Sequence, residues 1–143
     1  MKRQNYMVLE FPSKSINESF ARAAVACFAS QLAPTTEELQ DIRAAVSEAV
    51  SNCIKFAYPD EVGSVTIRCR ILQNNTLDII IKDKGVGIGD VEQATRPLFT
   101  TAGRESSGMG FTIMESFMTE CKVVSTSGKG TTIHMKRRIA KRI

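Results

Sequence analysis

The sequence predicts an α+β fold, a two-layer α/β sandwich with helices on one face of a mixed, mostly antiparallel sheet. Three observations carry this reading. The apolar spacing switches along the chain between a helical period and a period of two. The strand-like runs come in pairs joined by short turns, as antiparallel neighbours do. The chain is 143 residues long, 43% hydrophobic and 24% charged, which suits one soluble domain with one core. The expected organisation is a single domain over 1–143, without repeats or an internal linker.

Each element has a local reason. Residues 6–11 read as a first strand, stopped by Pro12. Ser15 or Asn17 can cap a helix running through Phe20, Ala24, Cys27, Phe28 and Leu32, ending before Pro34. Thr35-Thr36-Glu37-Glu38 pairs a hydroxyl cap with first-turn acids, the signature of a new helix. That helix is expected over 37–56, with Leu39, Ile42, Val46, Ala49 and Cys53 on one face and Pro59 closing it. The period then becomes two. Val65, Ile67, Cys69 and Ile71 alternate with Thr66, Arg68 and Arg70, and a turn at Gln73-Asn74-Asn75 returns the chain through residues 77–82. A Gly-rich polar loop follows over 83–107. Residues 110–118 read as a helix, with Met114 and Met118 facing the core. Strands over 121–125 and 131–136 flank the turn Ser127-Gly128-Lys129-Gly130. The long loop is the exception, since unstructured stretches of that size in a compact domain usually bind or cover something.

Charge narrows the function classes. The formal net charge is +4, from 19 Lys and Arg against 15 Asp and Glu. Five of the basic residues fall in the last eight positions, and removing them leaves 14 against 15. Residues 136–143 therefore read as a basic tail on a near-neutral body, which fits a protein partner better than nucleic acid. No apolar run approaches the ~18–20 residues of a membrane span, and a cytoplasmic location is expected. Cys27, Cys53, Cys69 and Cys121 form no zinc spacing and read as buried or half-buried free thiols. His134, the one histidine, sits in a strand and reads as a surface or packing residue.

Three clusters can carry chemistry. Glu48 and Asn52 are one helical turn apart at the edge of the buried face of the second helix. A carboxylate and an amide so placed can act as a base and as an oxygen ligand for Mg2+. The same pair also fits a solvated flank beside Lys55. Asp83 ends an apolar strand, and Gly85, Gly87 and Gly89 follow, leaving a backbone that a ligand can approach closely. An ordinary Gly-rich turn has the same pattern. Gly108-Met109-Gly110-Phe111 runs straight into a helix, whose free N–H groups can bind an anion. The glycines alone could equally be helix breakers. No Walker loop, dinucleotide fingerprint or nucleophile elbow is present.

Taken in order, these clusters resemble the motifs of the GHKL ATPase superfamily, which has the Bergerat fold. Glu48 to Asn52 resembles its N box, Asp83-x-Gly85-x-Gly87 its adenine motif, Gly108-x-Gly110 its second glycine motif, and Gly130-Thr131 the Gly-Thr of its last strands. Leu9-Glu10-Phe11-Pro12, Ser15-Ile16-Asn17-Glu18-Ser19-Phe20-Ala21-Arg22, Val46-Ser47-Glu48-Ala49-Val50, Pro97-Leu98-Phe99-Thr100-Thr101 and Ser107-Gly108-Met109-Gly110-Phe111-Thr112-Ile113-Met114-Glu115 more closely resemble the sporulation anti-sigma F factors, a family of protein-serine kinases. The resemblance implies ATP and Mg2+ as cofactors. It implies Glu48 as general base and Asn52 as metal ligand. Asp83 and Thr131 would meet adenine, beside Gly85 and Gly87. Backbone around Gly108, Met109, Gly110 and Phe111 would cradle phosphates, under a lid over 91–107 that carries Thr101 and Arg104. It further implies a homodimer, with an RNA polymerase sigma factor bound through a surface that includes Arg22. The phosphoacceptor would be a serine on a STAS-type anti-anti-sigma factor. The chain departs from the pattern at Phe56-Ala57-Tyr58, where the kinases read His-Gly-Tyr, and at Ala102 and Ser106, where they carry basic residues. An ATP-gated sigma-binding module with lost or weak kinase activity is the alternative.

Overall fold

The computed structural model describes residues 3–58, 61–86, 110–126 and 128–140. The elements are β1 (Arg3–Pro12), α1 (Ile16–Ala29), a 3-10 turn (Ser30–Leu32), α2 (Thr36–Asn52), a π-helical turn (Cys53–Ala57), β2 (Ser64–Leu72), β3 (Thr76–Asp83), α3 (Gly110–Phe117), β4 (Glu120–Thr126) and β5 (Gly130–Arg138). The strands form one sheet in the order β1-β2-β3-β5-β4. All four pairings are antiparallel, so the parallel component expected of a mixed sheet is not found among the described strands.

Local chemistry explains the boundaries. The Thr35 hydroxyl accepts from the Glu38 amide at 3.0 Å, and the Glu38 carboxylate accepts from the Thr35 amide at 2.8 Å. Such a reciprocal box satisfies two otherwise orphaned donors and is worth about 1 kcal/mol. Asn74 and Asn75 take φ of +66° and +52°, left-handed values that asparagine tolerates and that match the twist of a β2–β3 hairpin. Pro12 ends β1 at the edge of the sheet, where its missing N–H costs no ladder bond.

The core lies between the sheet and the helices. Alternate residues Ile67, Cys69, Ile79 and Ile81 are buried, with Val25 of α1, Ile42, Val46 and Val50 of α2, and Met114 of α3. Three expectations need correction. First, the buried stripe of α1 is Ala21, Val25, Phe28 and Ala29, whereas Phe20 is 52% exposed and Cys27 is exposed. Position 27 lies about 200° around the helix from Val25 and so points away from the core. Second, the predicted α2 stops being α-helical at Asn52 and continues as the π turn. Third, the basic segment expected as a tail begins inside β5. Arg137 pairs with Asp41 at 3.0 Å and with the Phe117 carbonyl, and Ile139 is 1% exposed. No helix among the described residues is long and apolar enough to cross a membrane.

Candidate functional site

The site is built where the end of α2 meets the end of β3. Asp83 is the last residue of β3 and 5% exposed. A buried carboxylate must have its lone pairs occupied or be strongly destabilised. Its Oδ1 accepts from the amides of Gly85 at 3.0 Å and Thr131 at 3.2 Å, and its Oδ2 accepts from the Cys53 thiol at 3.4 Å. All three donors are uncharged. A carboxylate has about four lone-pair positions. Among the described residues, one position on Oδ2 is therefore left for a ligand.

The loop after Asp83 is gripped from several sides. The π turn lets the Ala57 carbonyl accept from the Val86 amide at 2.8 Å. The Tyr58 hydroxyl accepts from the Lys84 amide and donates to the Ser64 carbonyl, both at 2.8 Å. Gly85 packs so tightly on Ala57 that a Cβ would be driven into its carbonyl. Gly130 adopts φ +110° against the Asp83 backbone, where a side chain would be strained as well as blocked. The β3–β5 pairing sets Thr131 opposite Asp83, and the Ser125 and Thr131 hydroxyls meet at 2.9 Å.

Glu48 and Asn52 are half-buried on the last turns of α2. Cys53, the next residue, carries the helix end onto Asp83. The structure thus brings together Asp83, Gly85, Thr131 and the end of the helix that bears Glu48 and Asn52. Ser47 donates to Glu18, pinning α2 to α1 beside Glu48, and Arg22 lies 3.7 Å from the same Glu18. Gly110 opens α3, and the Phe111 side chain packs in the core, so only its backbone is available to a phosphate. Gly87, Thr101, Arg104, Gly108, Met109 and Pro59 lie outside the described residues.

Two contributors were missed from the sequence. Cys53 read as a plain core thiol, although its place directly after Asn52 was a signal. Tyr58 matches the last residue of the kinases' His-Gly-Tyr, but its partners, the Ser64 carbonyl of β2 and the Lys84 amide just after β3, are not visible in sequence. Burial, and then the Asp83 charge, holds the Cys53 thiol well above its ordinary pKa, so the sulfur keeps the proton it donates.

Known proteins resemble this chain in sequence and in fold. The family described as the histidine kinase-like ATPase domain matches residues 11–137. An anti-sigma F factor of Caldanaerobacter subterraneus subsp. tengcongensis is 54% identical over 143 residues, covering 99% of both chains. One from Clostridium acetobutylicum is 51% identical over 138 residues, covering 96% of each. A structure of the RsbU and RsbW domains of Rv1364c from Mycobacterium tuberculosis superposes with a TM-score of 0.72 at 15% identity. It covers 97% of this chain and 34% of that one, and shows likeness of fold.

Proposed function

The chain belongs to the histidine kinase-like ATPase domain family and, within it, to the anti-sigma F factors, and from that premise we propose that it is a cytoplasmic, ATP-loaded sigma-factor inhibitor and protein-serine kinase that controls sporulation transcription. The observation that carries the nucleotide half of this reading is Asp83. Among the described residues it is a buried carboxylate held only by neutral donors, next to two positions that exclude a Cβ. Such a group accepts from the amino hydrogen of adenine, and the two glycines let the Ala57 and Asp83 backbones close against the loops that orient it.

Glu48 would take the proton of an attacking serine hydroxyl, a role worth roughly 100- to 10,000-fold in rate. Asn52 would offer its amide oxygen to Mg2+. Among the described residues no group of three or more His, Cys, Asp and Glu could hold a metal. A one-oxygen protein site suits an ion that keeps several waters and takes its other ligands from phosphates. Bound Mg2+ would neutralise phosphate charge. Gly108, Met109, Gly110 and Phe111 would present backbone N–H groups to the phosphates, with Thr101 and Arg104 above them in the lid.

The surface of α1 supports a protein partner. Ile16 is 80% exposed and Phe20 52% exposed, one turn apart on α1, while Arg22, about 200° around the helix from Phe20, would offer a separate contact beside Glu18. Apolar residues in that register form a patch that a sigma factor can cover. The phosphoacceptor is a serine on a STAS-type anti-anti-sigma protein, and the working unit is a homodimer. The test is phosphotransfer with Mg·ATP and that substrate. Glu48→Gln is expected to lower the rate at least about 100-fold with ATP binding retained. Equal transfer by both proteins removes Glu48 as the base. Ala102 and Ser106 favour a second reading, an ATP-gated binder with weak kinase activity. ATP-dependent sigma binding without phosphotransfer selects it.

A further inference from the structure

Cys53 is used neither as metal ligand nor as base in this reading, yet it touches the residue the nucleotide half depends on. It is 2% exposed, follows Asn52 directly and starts the π turn. Its thiol donates to Asp83 Oδ2 at 3.4 Å. The two backbone donors hold Oδ1, but coupled changes in χ1 and χ2 can still pivot the carboxylate about that oxygen and swing Oδ2. A donor on the second oxygen fixes the carboxylate plane, and the plane decides where the remaining lone pair points.

We propose that Cys53 is a positioning residue for purine selection: its S–H sets the Asp83 carboxylate so that the open position on Oδ2 meets a 6-amino group and rejects a 6-oxo group. This rests on the adenine reading of Asp83. It adds a second determinant supplied by the helix that carries Asn52, so that base recognition and the end of α2 are joined by one hydrogen bond. A thiol is a weak donor, so the expected share is a few-fold in affinity rather than all of it.

The experiment is calorimetric titration with ATP and with inosine triphosphate, which carries oxygen where ATP has the amino group. Wild type is expected to favour ATP at least about tenfold. Cys53→Ala is expected to weaken ATP binding about three- to tenfold and to leave inosine triphosphate unchanged, so the ratio falls by the same factor. Cys53→Ser, which restores a donor, is expected to recover the ratio. A purely structural role would weaken both nucleotides alike and leave the ratio intact, which overturns the proposal. A serine variant that behaves like alanine overturns it too. Asp83→Asn separates the two readings: if it keeps the wild-type ratio, or if wild type binds no ATP, the adenine reading falls and this proposal falls with it. If Asp83→Asn loses the ratio and Cys53→Ala does not, only the role of Cys53 is removed.

Discussion

Strand β3 carries two buried aspartates, Asp78 at 0% exposure and Asp83 at 5%, and their surroundings are opposite in kind. Their odd spacing puts them on opposite faces of the sheet. Asp78 is on the face away from the helices. It is met by Arg70 through Nε at 2.7 Å and through a second guanidinium nitrogen at 2.5 Å, and by His134. Asp83 is on the helix face and is met by two amides and a thiol. Asp78 is a structural charge, its Oδ2 gripped by two nitrogens of one guanidinium. Asp83 has no cationic partner among the described residues, so nothing there offsets its charge before a ligand arrives. The pair teaches that burial alone does not identify a binding residue; the charge of its partners does.

The sharpest way to break this contrast is to neutralise each aspartate separately. Asp83→Asn is expected to weaken ATP binding about 10- to 100-fold, with little change in the urea midpoint, because asparagine keeps the Oδ1 acceptor for Gly85 and Thr131. Asp78→Asn is expected to do the reverse, lowering the midpoint and leaving ATP affinity intact. Parallel losses in both assays would erase the distinction.

A smaller effect is expected from Arg70→Ala, which strips the fork and leaves Asp78 to His134. The predicted cost is about 2 kcal/mol of stability, seen as a lower urea midpoint at unchanged slope. The remaining partner and the partial exposure of both Arg70 and His134 keep it below the cost of an isolated buried charge.

The smallest effect is in alkali. Burial, and next the charge of Asp78, pushes the Cys69 thiol up to about 12. A pKa raised on folding stabilises the native state below the unfolded thiol pKa, near 8.5. That contribution is lost as pH climbs toward about 12. Stability measured by denaturant is expected to fall from about pH 9 upward. Cys69→Ala should flatten part of that fall, and an unchanged slope would exclude Cys69 as a source. Cys53 responds to Asp83 in the same direction, so each aspartate leaves its mark on a neighbouring thiol.

Much of this was legible in the residues. The capping box at Thr35 and Glu38, the Asn-Asn turn and the alternation in β2 are local patterns, and local hydrogen bonding and side-chain period dictate them wherever they occur. Glu48, Asn52, Asp83 and Thr131 stand out as candidates because motif order survives in a linear chain. The helix α1 was legible but its buried side was not, and Cys27 was expected inside. Its apolar residues are spread around the helix, with Ile16 and Phe20 outside and Ala21 and Val25 inside, so period alone does not choose the buried side.

The remaining features depend on who neighbours whom across long separations. Thr131 reaches Asp83 because β5, not β4, inserts beside β3, and no turn signal specifies that order. The Cys53 contact needs the helix end and the strand end to converge, and the π turn that allows it has no sequence signature here. Asp78 is buried because Arg70 and His134 close over it from both flanking strands, a contact that its place in the strand does not specify. The basic segment looked like a tail until Ile139 was buried and its amide bonded to the Asn75 carbonyl. Spacing along the chain fixes which residues share a face. Which faces meet is settled by packing, where apolar area and buried charges are matched only once the whole sheet is assembled.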